Sequence, residues 1–385
     1  MKKRFFKNFA SALIAICAVF TLFPASCVYA EEVQFESDAK SLILIEAETG
    51  TVLYEKNADQ SLPPASVTKV MSMLLVMEAV DSGKISLEDT VTVSAYAANM
   101  GGSQVYLEAG ETFSVHELLK CVVVSSANDA CVALAEYISG SEEAFVSEMN
   151  KRARELGMAN TNFENTNGLD DTTVNHVTSA RDIAIMSAEL ITKHPKILEY
   201  SSIWMDSIRN GEFGLTNTNR LIRFYSGANG LKTGSTSKAG FCISASAKRN
   251  GMQLICVVMG ASNRDSRNDI AKKLFDFGFA GYAYRRFEPD GVTEMKVLGG
   301  KQNSVSLSYE IFDIVTEKQN AGKIEAVIQL PESISAPLKN GDVVGRVQYT
   351  LNGEMIKEIP ITVTQDIERL EFFDVFWKMM KNTFL

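Results

Sequence analysis

The sequence of 385 residues contains very little histidine. Only His116, His176 and His194 are present, and no Gly-x-Ser-x-Gly segment occurs, which disfavours an α/β-hydrolase with a Ser-His-Asp triad. The segment that begins at His116 reads His-Glu-Leu-Leu-Lys and lacks the second histidine of a zinc-protease helix. We therefore expect all three histidines to be structural or exposed, and we predict neither a metal site nor a cofactor.

Cysteine is also scarce, and no two cysteines have Cys-x-x-Cys spacing. Four of the six lie beyond residue 30, at Cys121, Cys131, Cys242 and Cys256, all in apolar surroundings. We expect them to be buried free thiols, and a disulfide among them is the open alternative.

Long apolar runs are absent except at the N-terminus. The run from Phe9 to Phe23 follows a basic start and precedes Val28-Tyr29-Ala30, which is typical of a secretory signal peptide over residues 1–30. A retained membrane helix is the alternative. Cleavage after Ala30 would remove four basic and no acidic residues, so the net charge would change from −9 to −13. An acidic, exported protein is a poor candidate for binding nucleic acid.

Strand patterns occur at both ends of residues 31–284, and helical patterns fill the middle. A hairpin is predicted over Ser41–Asn57, and two apolar strands, Phe241–Ala247 and Leu254–Met259, meet at the turn Asn250-Gly251. This order predicts an α/β (α+β) domain in which an antiparallel sheet is flanked by helices, with an additional helical region.

Two further features concern the start of one helix and the segment that follows residue 284. Ser114 and Glu117 predict a capping box at the start of a helix. Residues 285–365 contain short β-type runs separated by glycine, asparagine and proline, which predicts a small all-β domain.

The last twenty residues, 366–385, have a helical period. Their apolar positions are Ile367, Leu370, Phe373, Trp377, Met380 and Phe384. Charged residues occupy many of the other positions, too many for a helix that spans a bilayer. We predict an amphipathic helix that anchors the protein peripherally to a membrane surface; a helix packed on its own protein or in a dimer is the alternative.

The strongest chemical signal is Ser66-Val67-Thr68-Lys69, at the predicted start of an apolar helix. Residues three apart share a helix face, so the Ser66 hydroxyl and the Lys69 amine should meet. A serine needs a base to become a nucleophile, and a desolvated lysine can lose its proton and act as that base. The pattern is weak alone, because Ser235-Thr236-Ser237-Lys238 repeats it in a predicted loop.

Two more short motifs follow in order: Ser126-Ala127-Asn128 in a predicted turn between helices, and Lys232-Thr233-Gly234 on a predicted strand. Each is common by itself, and Ser266-Arg267-Asn268 is another Ser-x-Asn copy. The ordered trio, with its fit to helix, turn and strand, is much rarer.

With this trio the chain resembles the penicillin-binding, active-site-serine peptidases, and among them the low-molecular-mass D-alanyl-D-alanine carboxypeptidases of serine peptidase family S11. The neighbouring segments that also resemble this family are Leu62-Pro63-Pro64-Ala65, Gly102-Ser103-Gln104-Val105-Tyr106-Leu107-Glu108, Asp129-Ala130, Asn167-Gly168-Leu169-Asp170-Asp171 and Gly230-Leu231. Met100–Gln104 and Asn217–Leu221 favour the branch linked to sporulation.

The resemblance implies a transpeptidase/β-lactamase-like fold and a role for each motif residue. Ser66 would be the nucleophile that becomes acylated. Lys69 would be its base and would be kept partly neutral near Lys232. Ser126 would relay a proton to the leaving D-alanine. The substrate-binding residues would be Asn128, Lys232, Thr233 and Gly234. The oxyanion hole would consist of the backbone N–H groups of Ser66 and Ser235.

The implied partners are peptidoglycan stem peptides, β-lactams as covalent inhibitors and a membrane surface, on the outer face of the cytoplasmic membrane or in the cell wall. Some positions differ from those of related enzymes. Ala127 stands where class A β-lactamases have an aspartate, and Ser235 stands where many carboxypeptidases have a histidine or tyrosine. The segment Glu164–Asn167 lacks the Glu-x-x-x-Asn spacing of an efficient β-lactamase. These departures predict slow release of a penicilloyl group. A D,D-endopeptidase, a β-lactamase and a catalytically silent wall-binding scaffold are the alternatives.

Overall fold

A computed structural model of the protein describes residues 35–289 and 293–374, and the residues from Asp38 on belong to a single unit. Its helices are α1 (Lys69–Asp81), α2 (Ala95–Ala98), α3 (Val115–Val124), α4 (Asn128–Ser139), α5 (Glu142–Glu155), α6 (Ala180–Lys193), α7 (Ile197–Ser201), α8 (Leu221–Phe224) and α9 (Arg264–Gly281). Its strands up to residue 287 are β1 (Ser41–Glu46), β2 (Val52–Lys56), β3 (Thr90–Thr92), β4 (Thr112–Ser114), β5 (Met205–Ile208), β6 (Phe213–Thr216), β7 (Ala228–Thr236), β8 (Gly240–Arg249), β9 (Met252–Ala261) and β10 (Tyr282–Phe287).

The main sheet is antiparallel and has the strand order β2-β1-β9-β8-β7. Its two faces pack against different helices, because neighbouring side chains of a strand point to opposite faces. Leu44 lies beside Gly278 of α9, whereas Ile43 and Ile45 line a groove against α6. The predicted antiparallel sheet, built from the two ends of the domain, is confirmed, and β7 lies at its edge.

Helix α1 forms the centre of the helical region. Every residue from Lys69 to Met77 is buried, as predicted from an apolar run that shows no polar face. Helix α3 begins with the predicted capping box: the Ser114 hydroxyl accepts the Glu117 N–H, and the Glu117 carboxylate accepts the Ser114 N–H. Helix α9 begins at Arg264, where Asn263 caps it by accepting the N–H groups of Asp265 and Ser266.

An all-β domain follows β10, as predicted. Its strands are β11 (Glu294–Leu298), β12 (Ser304–Ser308), β13 (Phe312–Glu317), β14 (Ile324–Gln329), β15 (Ser333–Ser335), β16 (Val343–Leu351) and β17 (Glu354–Val363). Six of them form a sheet in the order β14-β16-β17-β12-β11-β15, and β13 pairs with β10. A separate apolar core fills this domain.

The predicted start of the terminal helix at Asp366 is wrong. Ile367 exchanges backbone hydrogen bonds with Leu338 (2.9 Å each way) and is buried in the β-domain core, and the N–H of Leu370 bonds to the carbonyl of Gly299 (2.8 Å). Residues 366–371 are therefore not helical, because Ile367 packs into the all-β core. Helical structure begins at Phe372, and residues 375–385 of the predicted helix lie outside the described residues.

Burial of the four cysteines is confirmed. Cys121, Cys131, Cys242 and Cys256 are all free and buried, and burial raises the pKa of the Cys121 thiol to about 12 and that of Cys242 to about 11. In the part of the chain that the structure describes, no helix is long and apolar enough to cross a membrane.

Candidate active site

Ser66 and Lys69 lie at the junction of a short 3-10 turn, Ala65–Thr68, and helix α1. In a 3-10 turn residues three apart are eclipsed, which places the two side chains directly above one another. The Lys69 Nζ donates a hydrogen bond to the Ser66 Oγ at 3.0 Å. Ser66 remains half-buried, whereas Lys69 has no exposed surface. The predicted contact between hydroxyl and amine is thus present.

Two further oxygen atoms hold the Lys69 amine. Its Nζ donates to the Asn128 Oδ1 at 2.6 Å and to the Asn167 carbonyl at 2.9 Å. All three acceptors are neutral, and complete burial lowers the pKa of Lys69 to about 8. A substantial fraction of this amine is therefore neutral near pH 8, and it can accept a proton from Ser66.

The loop between α3 and α4 brings the second motif to the same place. Ser126 has a positive φ of 62° and lines the cavity beside Ser66, while Asn128 is buried and donates from Nδ2 to the Gly101 carbonyl at 2.7 Å. Among the described residues the Ser126 side chain has no hydrogen bond to either Lys69 or Lys232. The structure thus places Ser126 on the lining of the cavity and Asn128 beneath that lining.

The Asp129 carboxylate supports the position of Asn128. This carboxylate is buried and accepts the backbone N–H groups of Val105 and Leu107, both at 3.1 Å through Oδ2. These bonds attach the segment 101–107 to the start of α4. Because Gly101 in turn holds the Asn128 amide, the position of Asn128 depends on this attachment.

The third motif lies on the edge strand β7. Lys232 is 1% exposed, and its Nζ donates to the Thr233 carbonyl at 2.8 Å. Burial, with the positive charges of Lys69 and Arg267 as further causes, places the pKa of Lys232 well below its ordinary value. The sequence predicts that desolvation makes a lysine a base, and the resemblance adds the proximity of Lys232; burial is the main cause of the lowered pKa at both lysines.

A cavity of about 670 Å³ connects these motifs. The cavity is lined by Ser66, Ser126, Thr233, Gly234 and Ser235, and behind this lining lie Lys69, Asn128 and Lys232. All eight residues predicted for the site therefore lie in or directly beneath one cleft, between the helical region and the edge strand of the sheet.

Arg267 is a residue of this cleft that the sequence did not single out. It lines the cavity, is 3% exposed, and donates to the Asn268 Oδ1 at 2.9 Å and to the Cys242 carbonyl at 3.3 Å. No carboxylate of the described residues forms an ion pair with it, and burial lowers its pKa to about 10. A buried cation without a counter-ion is costly, so its site is suited to an incoming anion.

The sequence also did not single out two other cations and one backbone carbonyl of the site. Arg220 and Arg264 line the same cavity and are exposed, which adds positive charge at its mouth. The Asn167 carbonyl, which holds Lys69, belongs to a segment quoted only for its family resemblance. A sequence pattern gives no signal for a hydrogen bond between a side chain and a backbone carbonyl that lies 98 residues away in the chain.

Gly234 makes the closest approach between β7 and the nucleophile. A Cβ at this position would lie 2.7 Å from the Ser66 N and 2.9 Å from both the Pro64 O and the Val67 N, all of them backbone atoms.

We expect Gly234→Ala to displace the Ser66 turn and to slow acylation by a β-lactam about 100-fold. The rate of covalent labelling measures this. Gly214→Ala on β6, where nothing lies within 4 Å, is the control and should stay within about twofold of wild type; equal rates for both variants would contradict the argument.

Comparison with known proteins agrees with the geometry. A family model described as D-alanyl-D-alanine carboxypeptidase, peptidase S11, matches residues 28–263, and one described as penicillin-binding protein 5, C-terminal domain, matches residues 288–369. The chain belongs to the S11 family of D-alanyl-D-alanine carboxypeptidases. Members of this family are serine-type peptidases, and the predicted fold class and enzyme class are confirmed.

Three individual relatives cover between 64% and 89% of this chain. D-alanyl-D-alanine carboxypeptidase DacF of Bacillus subtilis is 44% identical over 352 residues, 89% of either chain. The crystal structure of penicillin-binding protein 5 from Haemophilus influenzae has a TM-score of 0.74 and 34% identity and covers 87% of this chain and 99% of its own. Penicillin-binding protein D2 from Listeria monocytogenes, in an ampicillin-bound form, has a TM-score of 0.56 and 34% identity and covers 64% of this chain and 99% of its own.

Proposed function

We propose that this S11 enzyme removes the terminal D-alanine from peptidoglycan pentapeptide stems through an acyl-enzyme on Ser66. The observation that carries the proposal is the 3.0 Å hydrogen bond between the Lys69 Nζ and the Ser66 Oγ, made by an amine whose pKa is lowered to about 8. This pair supplies a nucleophile and a base without histidine. The family supplies the substrate class.

In the acylation step, neutral Lys69 takes the Ser66 hydroxyl proton while the Oγ bonds to the carbonyl carbon between the two D-alanines. The carbonyl oxygen becomes an oxyanion, which the N–H groups of Ser66 and Ser235 stabilise. The C–N bond then breaks, and the leaving amine receives through Ser126 the proton that Lys69 had taken, so Lys69 is neutral again. In the second step, Lys69 takes a proton from water as the water oxygen bonds to the ester carbon. The bond between this carbon and the Ser66 Oγ then breaks, Lys69 returns the proton to the Oγ, and the shortened peptide leaves as the acid.

The edge strand β7 and the cations of the cleft would bind and orient the substrate. The terminal carboxylate would bind Thr233, Lys232 and Arg267, and its negative charge would restore the protonated form of Lys232. Asn128 has a second N–H of its amide for the acyl-side carbonyl. Because β7 is an edge strand, the peptide can add to it as a further antiparallel strand.

The pH dependence of acylation follows from Lys69. Only the neutral amine accepts a proton, so the rate should fall about tenfold per pH unit below about pH 7 and level off above about pH 9. The second-order rate constant for covalent labelling by a fluorescent penicillin, measured from pH 5.5 to 9.5, tests this. A rate that does not change across this range would contradict Lys69 as the base.

Penicillin binding belongs to the same proposal. The ampicillin-bound relative from Listeria supports a covalent β-lactam adduct on Ser66. The Glu164–Asn167 loop carries no carboxylate next to the reaction centre: the Glu164 carboxylate accepts the N–H groups of Val174 and Asn175 instead. We therefore propose slow hydrolysis of the penicilloyl ester and a long-lived adduct, in contrast to a β-lactamase.

The direct test uses the wild-type protein. Incubation with a pentapeptide stem should release free D-alanine, and peptide mapping after reaction with labelled penicillin should place the label on Ser66. Cleavage of cross-linked dimers without release of D-alanine would favour the D,D-endopeptidase alternative, and rapid turnover of penicillin a β-lactamase. No label and no product would favour a silent scaffold.

We also propose export by a signal peptide over residues 1–30 and peripheral attachment to the membrane through the end of the chain; most of both segments lies outside the described residues. Phe372 and Phe373 are 80% and 72% exposed, which supports an apolar contact there. A link to sporulation stays a prediction.

The attachment can be tested by truncation. A chain that ends at Glu371 keeps Ile367 in the β-domain core, so it should keep its activity and its thermal unfolding temperature. It should no longer sediment with vesicles of anionic phospholipid, whereas the full chain should. Equal sedimentation of the two chains would contradict the proposed anchor.

A further inference from the structure

The backbone immediately before Ser66 adopts an uncommon conformation. Ala65 has a φ of 48°, in the left-handed region that L-residues other than asparagine and aspartate rarely adopt. Ala65 is 1% exposed, and its carbonyl oxygen accepts the Thr68 hydroxyl at 2.8 Å. Gly168 closes the other side of this carbonyl: a Cβ there would lie 1.9 Å from the Ala65 O. The surrounding residues therefore hold this peptide group.

A histidine completes the support. The backbone N–H of Glu164 donates to the His176 Nδ1 at 2.9 Å, so the ring proton lies on Nε2. The Nε2 is 2.7 Å from the Thr68 Oγ1 and donates to it, which leaves the Thr68 proton for Ala65. Burial lowers the pKa of His176 to about 4, so the ring stays neutral and keeps this donor pattern in ordinary buffers. The resulting chain of bonds runs from Glu164 through His176 and Thr68 to the Ala65 carbonyl.

The geometry of a peptide group gives this chain a consequence for the nucleophile. The Ala65 C=O and the Ser66 N–H belong to one planar trans peptide, so they point in opposite directions. Fixing the carbonyl toward Thr68 fixes the N–H away from Thr68. On that side lies β7, since a Cβ on Gly234 would be 2.7 Å from the Ser66 N.

We propose that His176 and Thr68 are positioning residues for the oxyanion hole: they hold the Ala65–Ser66 peptide in the orientation that aims the Ser66 N–H at the reacting carbonyl oxygen. The inference rests on the proposed function, because it assumes acylation at Ser66. Neither residue touches substrate. Their contribution is to the direction of one donor, which must be set before the oxyanion forms.

A purely structural role is the competing explanation, since His176 also packs beside Phe163 with 5.8 Å between ring centroids. The two explanations differ in what a variant changes. Loss of structural support lowers stability. Misdirection of an oxyanion donor lowers the maximal acylation rate, leaves initial β-lactam binding unchanged and weakens the hydrogen bond to the acyl carbonyl.

The central variant is Thr68→Val, which keeps the side-chain shape and removes the hydroxyl. Its maximal acylation rate by labelled penicillin should fall about 10- to 100-fold, with the dissociation constant of the initial complex within about threefold of wild type. In infrared difference spectra of the acyl-enzyme, the ester carbonyl band, identified with a 13C-labelled β-lactam, should shift to higher wavenumber. Thr68→Ser should restore both readouts.

Two further variants complete the design. His176→Phe keeps a ring against Phe163 but removes the donor; its effect should be in the same direction and smaller, because Thr68 can still donate to Ala65. The combined loss in the double variant should be less than the product of the two. Ser41→Ala is the matched control, since it removes another buried hydroxyl that donates to a backbone carbonyl, Asn57, at 2.9 Å, on β1. It should leave the acylation rate and the carbonyl band unchanged.

Outcomes separate this inference from the proposed function. If wild type is not labelled at Ser66, the proposed function fails first. If wild type is labelled and Thr68→Val acylates at the same rate with an unshifted band, the positioning role is wrong. A lower unfolding temperature without those changes supports the structural explanation alone. Should Thr68→Val not fold, His176→Phe decides by the same two readouts.

Discussion

Replacing Ser66 by alanine abolishes both covalent labelling by penicillin and release of D-alanine, an expected loss of at least about 10⁵-fold in the acylation rate. The variant lacks the only atom that can form the ester. Lys69 keeps its bonds to Asn128 and Asn167, so the amine remains held in place. Because the Ser66 side chain is half-buried and accepts one hydrogen bond, we expect the unfolding free energy to change by less than about 1 kcal/mol.

The control for this variant is the other serine of the cleft. Ser126→Ala should still be labelled, at a reduced rate, because it loses the proton relay and retains the nucleophile. Gel fluorescence and peptide mapping measure both variants, and the unfolding temperature of each establishes that it folds. A label on the Ser66→Ala protein, carried by Ser126 or any other residue, would show that the nucleophile is misassigned.

The features that could be predicted from the sequence are those encoded locally. The contact between Ser66 and Lys69 needs only one turn of helix, and the capping box of Ser114 and Glu117 needs only four residues. The antiparallel sheet follows from strand patterns at both ends of the domain. The gathering of the three motifs into one cleft did not follow from spacing; the family resemblance implied it, and the cavity lined by Ser66, Ser126 and the end of β7 shows it.

Features that depend on tertiary burial could not be predicted. Arg267 stands in a Ser-x-Asn tripeptide that reads as an ordinary cap, and only its position in the folded chain makes it a buried cation of the cleft. The conformation of Ala65 is another case, because alanine carries no local preference for a positive φ. It is imposed by Thr68 and Gly168.

At the end of the chain, the sequence pattern predicted a helix residue that the structure does not show as one. Ile367 fits an apolar stripe with helical spacing, and a regular pattern of this kind cannot tell a membrane contact from a contact with the protein's own core. Backbone pairing with Leu338 decides the matter for this residue. The first residues past that pairing, Phe372 and Phe373, are the ones whose exposure still agrees with the predicted anchor.

Lys69→Met is expected to lower the acylation rate about 10³- to 10⁴-fold, because it removes the proton acceptor of Ser66 and keeps a side chain of similar length. The variant leaves the Asn128 Oδ1 and the Asn167 carbonyl without this donor, which lowers the free energy of unfolding. It also removes a desolvated amine, which offsets part of that loss of stability. The remaining rate should rise with hydroxide concentration and show no plateau above about pH 8.

Lys69→Arg separates proton acceptance from charge, which Lys69→Met cannot do. A guanidinium stays protonated at every pH where the protein is folded, so it keeps the positive charge beside Ser66 and cannot take its proton. If the role of Lys69 is that of a base, Lys69→Arg should be as inactive as Lys69→Met in penicillin labelling at pH 8. If instead the charge alone stabilises the reaction, the arginine variant should retain a rate within about tenfold of wild type. That second result would contradict the mechanism proposed for this cleft, since a buried lysine with its pKa lowered to about 8 owes its catalytic value to the proton it can accept.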